Sequence, residues 1–130
     1  MQIYHGIDLI EIARIAKAKE NPRFALRILT NSEQVEFSTL ANHRQAEYLA
    51  GRFAAKEATY KALSQAVGTL NPTISWHDIE ILKAHSGAPV LYLLGSARSI
   101  LERYRIDTHA ISLSHDRSHA IASVLLLGSR

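Results

Sequence analysis

A long helical segment constrains this chain of 130 residues more than any other feature. From about Arg44 to Ala66 the apolar residues recur at three- and four-residue spacing, and alanine is abundant among them. Gly51 is the one weak helix former in the segment, and a glycine there indicates close packing against a neighbouring element. The segment predicts one long helix against which the other elements pack.

Three shorter elements precede this helix. Alternation over residues 2–9 predicts a strand, and the spacing that follows is that of a short helix which must stop near Asn21 and Pro22. Because Asn21 is a good N-cap and proline suits the first helical position, a second short helix is predicted through residue 29. A third begins within residues 30–33, with Ser32 as its cap.

After the long helix, the sequence predicts a loop, four strands and one more helix. Residues 67–75, which include Gly68 and an Asn-Pro pair at 71–72, predict a loop. The predicted elements after it are strands at 78–82, 90–94, 109–115 and 119–127, and a helix at 96–105. Together these elements predict an α+β fold in which a meander-like antiparallel sheet packs on one long helix.

Composition bounds the class of protein. At 130 residues with 47% apolar content, a single globular domain is expected. The absence of cysteine excludes a disulfide scaffold and thiolate metal sites, and fits a reducing compartment. The longest apolar run, residues 124–127, is far short of the ~20 residues that span a bilayer. No secretory signal is visible, so a cytoplasmic location is expected.

The positive charge is concentrated in one segment. The chain has a net charge of +3, which as a total indicates neither nucleic acid nor membrane as a partner. Residues 13–30, however, hold five basic residues and one acidic residue, whereas the rest holds ten basic and eleven acidic ones. A basic patch is therefore predicted there. Its members are Arg14, Lys17, Lys19, Arg23 and Arg27.

Asp8 is an acid in an otherwise apolar strand, beside Gly6. Burying it without a partner would cost several kcal/mol, about 2–7 for a polar group and more for a charge. Two interpretations stay open. Asp8 is a functional carboxylate, or it has a structural role, either as an exposed residue at the end of the strand or as the N-cap of the helix beginning near Ile10.

Charged residues also crowd the long helix, where Glu57 and Lys61 lie four positions apart and so share a face. The simpler interpretation is a solvated ion pair worth about 0.3–0.5 kcal/mol, and pattern alone favours it. The alternative places Glu57 on a hard divalent cation and Lys61 on a phosphate. Asp and Glu in a chain without cysteine suit Mg²⁺, which takes one or two carboxylates and leaves other positions to water and substrate phosphate.

A third group lies where residues 112–115 end a predicted strand, with His119 just beyond the turn. A turn between strands breaks the helical His-x-x-x-His geometry, so a zinc site is not expected. A Ser-His nucleophile pair has weak support, because no orienting acid or oxyanion loop is visible. Glycine-rich phosphate loops of the P-loop or dinucleotide type are also absent from the sequence.

Three motifs in order resemble the holo-acyl-carrier-protein synthase family of small bacterial 4′-phosphopantetheinyl transferases. They are HGIDLIEIAR at residues 5–14, RFAAKEATYKA at residues 52–62 and SLSHD at residues 112–116. The resemblance spans nearly the whole chain. It implies transfer of phosphopantetheine from coenzyme A to a serine of apo acyl carrier protein, with release of adenosine 3′,5′-bisphosphate, in support of fatty acid biosynthesis.

The resemblance also implies roles for residues. Asp8 and Glu57 would ligate Mg²⁺, Lys61 would contact the phosphate, and Arg52 and His115 would bind coenzyme A at the interface of a homotrimer. The proton of the carrier serine would leave through a metal-bound water or through Glu57 and a water, and both routes stay open. The residues expected to receive the acidic carrier protein are Arg14, Lys17, Arg23 and Arg27.

The chain departs from the family pattern at two places. His5 stands where a glycine is usual, and residues 64–68 read Ser-Gln-Ala-Val-Gly instead of a glycine-rich stretch. Two alternative functions remain at this point: a transferase for a specialised, polyketide-type carrier, and a non-catalytic basic binding module. The second explains none of the three motifs, and its patch has little aromatic interleaving of the kind that binds nucleic acid.

Overall fold

The predicted long helix is present and slightly longer than its periodicity indicates, spanning Asn42–Val67. The structure is a computed structural model that describes residues 1–69 and 73–129. In chain order its elements are β1 (Gln2–Glu11), α1 (Ile12–Ala18), α2 (Pro22–Ile28), α3 (Asn31–Ser38), α4 (Asn42–Val67), a 3₁₀ helix (Trp76–Asp78), β2 (Ile79–Lys83), β3 (Pro89–Leu93), α5 (Gly95–Arg103), β4 (Ile106–His115) and β5 (His119–Gly128).

Two antiparallel sheets form instead of one meander. The larger has the strand order β1-β5-β4, and β2 and β3 form a separate hairpin. The first and last strands of the chain therefore lie side by side, with Asp8 opposite Ala122. The predicted fold class is confirmed, because α4 packs on the three-stranded sheet, but the predicted meander is wrong. Strand pairing follows from which apolar faces cover α4, and chain order does not reveal it.

Small residues bring α4 close to the sheet. Ala54, Ala58 and Ala62 on the helix are fully buried, as are Val124 and Leu126 on β5. The closest approach is at Gly6 of β1, where an added Cβ would overlap the backbone carbonyl oxygen of Ala58. Gly51, expected from the sequence to mark close packing, would have nothing within 4 Å of an added Cβ. Close packing thus requires the glycine on the strand, not the one on the helix.

Substitution Gly6→Ala is expected to lower the free energy of unfolding by about 3 kcal/mol, because the methyl group meets backbone that cannot rotate away. The matched substitution Gly51→Ala fills open space in a helix and should raise it by about 0.5–1 kcal/mol. Urea unfolding of both variants measures the contrast. A Gly6→Ala variant as stable as the parent would contradict the packing described for β1 and α4.

The structure corrects the predicted cap of one helix. The cap of α3 is Thr30 and not Ser32, because the Thr30 side chain accepts from the Glu33 backbone N–H while Glu33 accepts from the Thr30 backbone N–H. This reciprocal capping box satisfies two otherwise unpaired donors, which Ser32 two positions later cannot do. Gly68 ends α4 in a left-handed conformation with φ 78°. Of the predicted loop at 67–75, residues 70–72 lie outside the described residues.

Among the described residues, no helix is both long and apolar enough to cross a membrane.

Candidate active site

The contact between β1 and α4 brings together Asp8, from the motif at residues 5–14, and Lys61, from the motif at residues 52–62. Asp8 shares the inner face of β1 with Gly6, so its side chain lies toward the helix and is 16% exposed. The Lys61 ammonium donates to Asp8 Oδ1 at 3.1 Å and to the Ile7 carbonyl at 2.9 Å. β1 continues to Glu11, which is the N-cap of α1. The interpretation of Asp8 as a helix cap is therefore wrong.

Glu57 completes this cluster one turn before Lys61 on α4. Burial raises the pKa of the Glu57 carboxyl, the negative charge of Asp8 raises it further, and Lys61 opposes the shift. In the described part of the chain Lys61 pairs with Asp8, and the solvated Glu57–Lys61 ion pair does not form. Two mutually repelling carboxylates with one lysine therefore lie between β1 and α4. We call Asp8, Glu57 and Lys61 the carboxylate cluster.

The donor set of the carboxylate cluster fits Mg²⁺. Across the described residues, no group of three or more His, Cys, Asp or Glu side chains is placed to hold a metal ion. A pair of carboxylates is nevertheless the usual protein contribution to a Mg²⁺ site, whose other positions go to water and substrate phosphates. Burial and, after it, the charge of Asp8 raise the pKa of Glu57, and a divalent cation would relieve the repulsion between the two carboxylates.

A cavity separate from the carboxylate cluster contains the two residues expected to bind coenzyme A, Arg52 and His115. Its volume is about 380 Å³, and Asp8, Glu57 and Lys61 lie outside its lining. Its charged and aromatic lining residues are Glu36, Arg44, Glu47, Tyr48, Arg52, Lys83 and His115. Since four of these are basic or can be protonated, the cavity suits an anionic ligand. We call it the basic cavity.

Arg52 is held firmly within the basic cavity. Its Nε donates to the Ile81 carbonyl at 3.1 Å, and its guanidinium lies 4.1 Å from the centre of the Tyr48 ring. The Tyr48 hydroxyl donates to Glu36 at 2.7 Å, and Glu36 also lies 3.5 Å from Arg52. His115 lies 3.8 Å from Glu47 and is half exposed. Arg52 is thus fixed in orientation, which suits planar recognition of a phosphate.

Four of the residues in the predicted basic patch are exposed on the first two helices. Arg14 and Lys17 lie on α1, and Arg23 and Arg27 lie on α2. Lys19 differs from them, because its ammonium donates to the Asn42 side chain at 2.7 Å and joins α1 to α4.

The two departures from the family pattern have structural consequences. His5 lies on the face of β1 opposite Asp8, and its Nε2 is 2.9 Å from the Ser123 hydroxyl of β5. It is therefore directed away from the carboxylate cluster. Gln65, in the segment where a glycine-rich stretch is usual, accepts from the His5 backbone N–H at 2.9 Å and so ties α4 to β1.

Sequence reasoning gave no role to Lys56, which is fully buried and ion-paired with fully buried Glu33 at 2.7 Å. Burial lowers the pKa of Lys56, and Glu33 opposes that shift. The spacing of Thr30 and Glu33 is the capping-box signature, and it was the one available signal that Glu33 lies inside the fold. Nothing local marks Lys56, because its partners are 20 to 28 residues away.

Comparison with known proteins identifies the family. A model described as the 4′-phosphopantetheinyl transferase superfamily matches residues 5–123. A holo-[acyl-carrier-protein] synthase from Halalkalibacterium halodurans is 43% identical over 128 residues, covering 97% of this chain and 96% of that protein. One from Streptococcus mutans is 41% identical over 127 residues, with the same coverage of both proteins.

Solved structures agree with the sequence matches. An ACPS–CoA complex from Chronobacterium ammoniagenes has a TM-score of 0.85 at 32% identity, and all of both chains is covered. A Bacillus anthracis holo-(acyl-carrier-protein) synthase in complex with CoA (3′,5′-ADP) has a TM-score of 0.76 at 36% identity, covering 97% of this chain and 96% of that one.

The fold and these matches define the class: this protein is an enzyme of the phosphopantetheinyl transferase type. Within that superfamily, the chain belongs to the holo-[acyl-carrier-protein] synthase family.

Proposed function

We propose that this enzyme transfers the 4′-phosphopantetheine arm of coenzyme A to a serine of apo acyl carrier protein. The reaction depends on Mg²⁺, releases adenosine 3′,5′-bisphosphate and supports fatty acid biosynthesis in the cytoplasm. The observation that carries the proposal is the carboxylate cluster of Asp8, Glu57 and Lys61, placed between β1 and α4 in a chain whose relatives are holo-[acyl-carrier-protein] synthases.

The two carboxylates and the ammonium of the carboxylate cluster have different roles, which follow from their charges. Asp8 and Glu57 would hold Mg²⁺, which when bound neutralises the diphosphate of coenzyme A and orients it. Lys61 contributes an ammonium beside the same site, half exposed and able to contact a phosphate oxygen. Phosphoryl transfer needs mainly such positioning and charge neutralisation, so no nucleophilic side chain of this enzyme is required.

The basic cavity accounts for the other end of coenzyme A. We propose that Arg52 and His115 bind its nucleotide, because they line a cavity with an excess of positive charge and an arginine fixed against an aromatic ring. This cavity and the carboxylate cluster are separate within one chain. We therefore propose that the cavity of one copy faces the cluster of the next in a homotrimer.

An exposed apolar sheet face supports this assembly. Ile3, Ile7 and Leu9 project from the outer face of β1 and are 59%, 51% and 61% exposed. Leu125 and Leu127 of β5, paired with His5 and Ile3, continue the same face. Val124 and Leu126, which alternate with these two leucines along β5, face the other way and are fully buried. The face also carries His5 and Ser123, and a sheet face with this many exposed apolar side chains typically marks a protein–protein interface.

Substitution Ile3→Glu is expected to convert the trimer to a monomer, because a carboxylate in an apolar interface has no partner. Light scattering measures the change in mass. The matched control is Val35→Glu on α3, a comparably exposed apolar position away from the sheet, which should leave the mass unchanged. A parent protein that is monomeric at working concentration would contradict the shared site and with it the role of His115.

The exposed basic side chains of α1 and α2 form the proposed surface for the carrier. Arg14, Lys17, Arg23 and Arg27 would attract an acidic helix and speed its association. Leu26, 54% exposed between Arg23 and Arg27, adds apolar contact area.

Mass spectrometry of the carrier tests the proposed function directly. Apo acyl carrier protein is incubated with this enzyme, coenzyme A and Mg²⁺, and with the same mixture lacking Mg²⁺. The expected result is a gain of one phosphopantetheine arm only when Mg²⁺ is present. No gain with several carriers, including a polyketide-type one, would overturn the proposal.

A further inference from the structure

Lys56 is a fully buried lysine to which the proposed reaction gives no direct role, because its ammonium is bound to three acceptors outside the carboxylate cluster. Its Nζ donates to the Ile28 carbonyl at 2.6 Å, to Glu33 Oε1 at 2.7 Å and to the Trp76 carbonyl at 3.1 Å. These three acceptors match the three donors of an ammonium. The side chain therefore joins α4 to three other parts of the fold in one defined geometry.

One of these bonds caps the helix that carries half of the proposed docking surface. Ile28 is the last residue of α2, and carbonyls in the last turn of a helix lack an intrahelical partner. A cation placed there satisfies the carbonyl and complements the helix dipole. Since Arg23 and Arg27 lie on α2, Lys56 fixes the end of the docking helix to α4.

An aromatic column makes a second link between the same elements. The ring of Phe24 on α2 lies 6.2 Å from that of Phe53 on α4, which lies 5.2 Å from the ring of Trp76. Lys56 binds the carbonyl of that same Trp76 and follows Phe53 by three residues, so the two links lie one helical turn apart. Glu57 of the carboxylate cluster is the next residue of α4.

Stability alone does not explain a lysine at this position. Burying an ion pair costs desolvation that its Coulombic attraction does little more than repay, and apolar replacements of similar volume are often as stable. The bond to the Ile28 carbonyl instead ties the end of α2 to α4 in one direction, and the bonds to Glu33 and Trp76 hold the ammonium that makes it.

We propose that Lys56 is a positioning residue that holds α2 in a fixed place relative to the carboxylate cluster, so that a carrier protein docked on Arg23 and Arg27 presents its serine to the reacting phosphate. This inference rests on the proposed function and adds to it a residue that touches neither substrate.

Substitution Lys56→Met tests the proposal with two readouts. Because misplacement of about 1 Å can cost up to ~10²-fold in rate, kcat/KM for the carrier should fall about 10- to 100-fold, while the KM for coenzyme A stays within about twofold. In the absence of both substrates, the rate of amide hydrogen exchange should be higher in the variant than in the parent for residues 22–28, and unchanged in β1 and β5. A merely structural lysine would affect both substrates and the whole core together.

Three further variants keep the test decisive if Lys56→Met does not fold. Phe24→Leu loosens only the aromatic column. Like Lys56→Met, it should lower kcat/KM for the carrier and raise the rate of amide exchange in α2. Tyr104→Leu removes a ring at the end of α5, outside the lining of the basic cavity and outside the aromatic column, and should leave both at parent values. Lys56→Arg keeps the charge and should restore part of the carrier kinetics lost in Lys56→Met.

The outcomes separate this inference from the proposed function. Unchanged exchange in residues 22–28, or raised exchange with an unchanged kcat/KM for the carrier, overturns the role of Lys56. An enzyme that transfers no phosphopantetheine in its parent form overturns the proposed function and, since no carrier is then presented, this role as well.

Discussion

Replacing Glu57 by Gln is expected to lower Mg²⁺-dependent transfer about 10³-fold, with the fold unchanged. A bound metal contributes several kcal/mol of charge stabilisation, and about 4 kcal/mol corresponds to that factor in rate. Gln has the shape of Glu but lacks the charge that holds the cation. The charge of Glu57 is disfavoured by burial and by Asp8, so its removal should not reduce thermal stability.

Three measurements decide this prediction. Transfer is followed by the mass of the carrier, Mg²⁺ affinity by calorimetry and the fold by circular dichroism. Asp8→Asn should behave similarly, whereas Glu102→Gln, which alters an exposed carboxylate on α5, should retain full activity. If Glu57→Gln retains transfer, the assignment of the carboxylate cluster as a Mg²⁺ site is wrong.

Replacing Glu33 by Ala is expected to lower the free energy of unfolding by about 3–5 kcal/mol, because it leaves the buried ammonium of Lys56 without its counter-charge. The same carboxylate accepts from the backbone N–H groups of Thr30 and Ile81 at 2.9 and 2.7 Å, and these donors also lose their acceptor. The total free energy of unfolding of a native protein is about 5–15 kcal/mol, so this loss is a large share of it.

An exposed ion pair supplies the control. Arg98 and Glu102 lie 3.7 Å apart on α5 and are both about 70% exposed, so Glu102→Ala should cost less than about 1 kcal/mol. Urea unfolding of both variants under the same conditions gives the comparison. A Glu33→Ala variant within about 1 kcal/mol of the parent would contradict the expectation that this substitution leaves the Lys56 ammonium buried without a counter-charge.

Sequence patterns located the elements well where the signal was local. Alanine content and three- to four-residue spacing indicated residues 44–66 for a helix that spans Asn42–Val67. Asn21 and Pro22 begin α2 as their capping preferences predict. The cap of α3 was predicted as Ser32 and is Thr30. Both residue types are good caps, and only the reciprocal bonds with Glu33 distinguish the two positions.

The carboxylate cluster shows where local reasoning stops. Helical spacing placed Glu57 beside Lys61, and from spacing alone an ion pair between them was the simpler interpretation. In the folded chain Lys61 binds Asp8, 53 residues away, and the Asp8 charge acts on Glu57. The resemblance to a family connected Asp8 with Glu57, but their spatial relation depends on the contact between β1 and α4.

By itself, the sequence determined the helices, the strands, the family and the residue types available for chemistry, because these follow from periodicity, capping and motifs within short stretches of chain. Only the tertiary structure decided that β1 pairs with β5, that Gly6 and not Gly51 is the glycine of close packing, and that Lys56 is buried against Glu33. Each of these depends on contacts between residues distant in the chain. Such contacts are selected by the shape and apolar area of whole faces, which no local pattern of residues encodes.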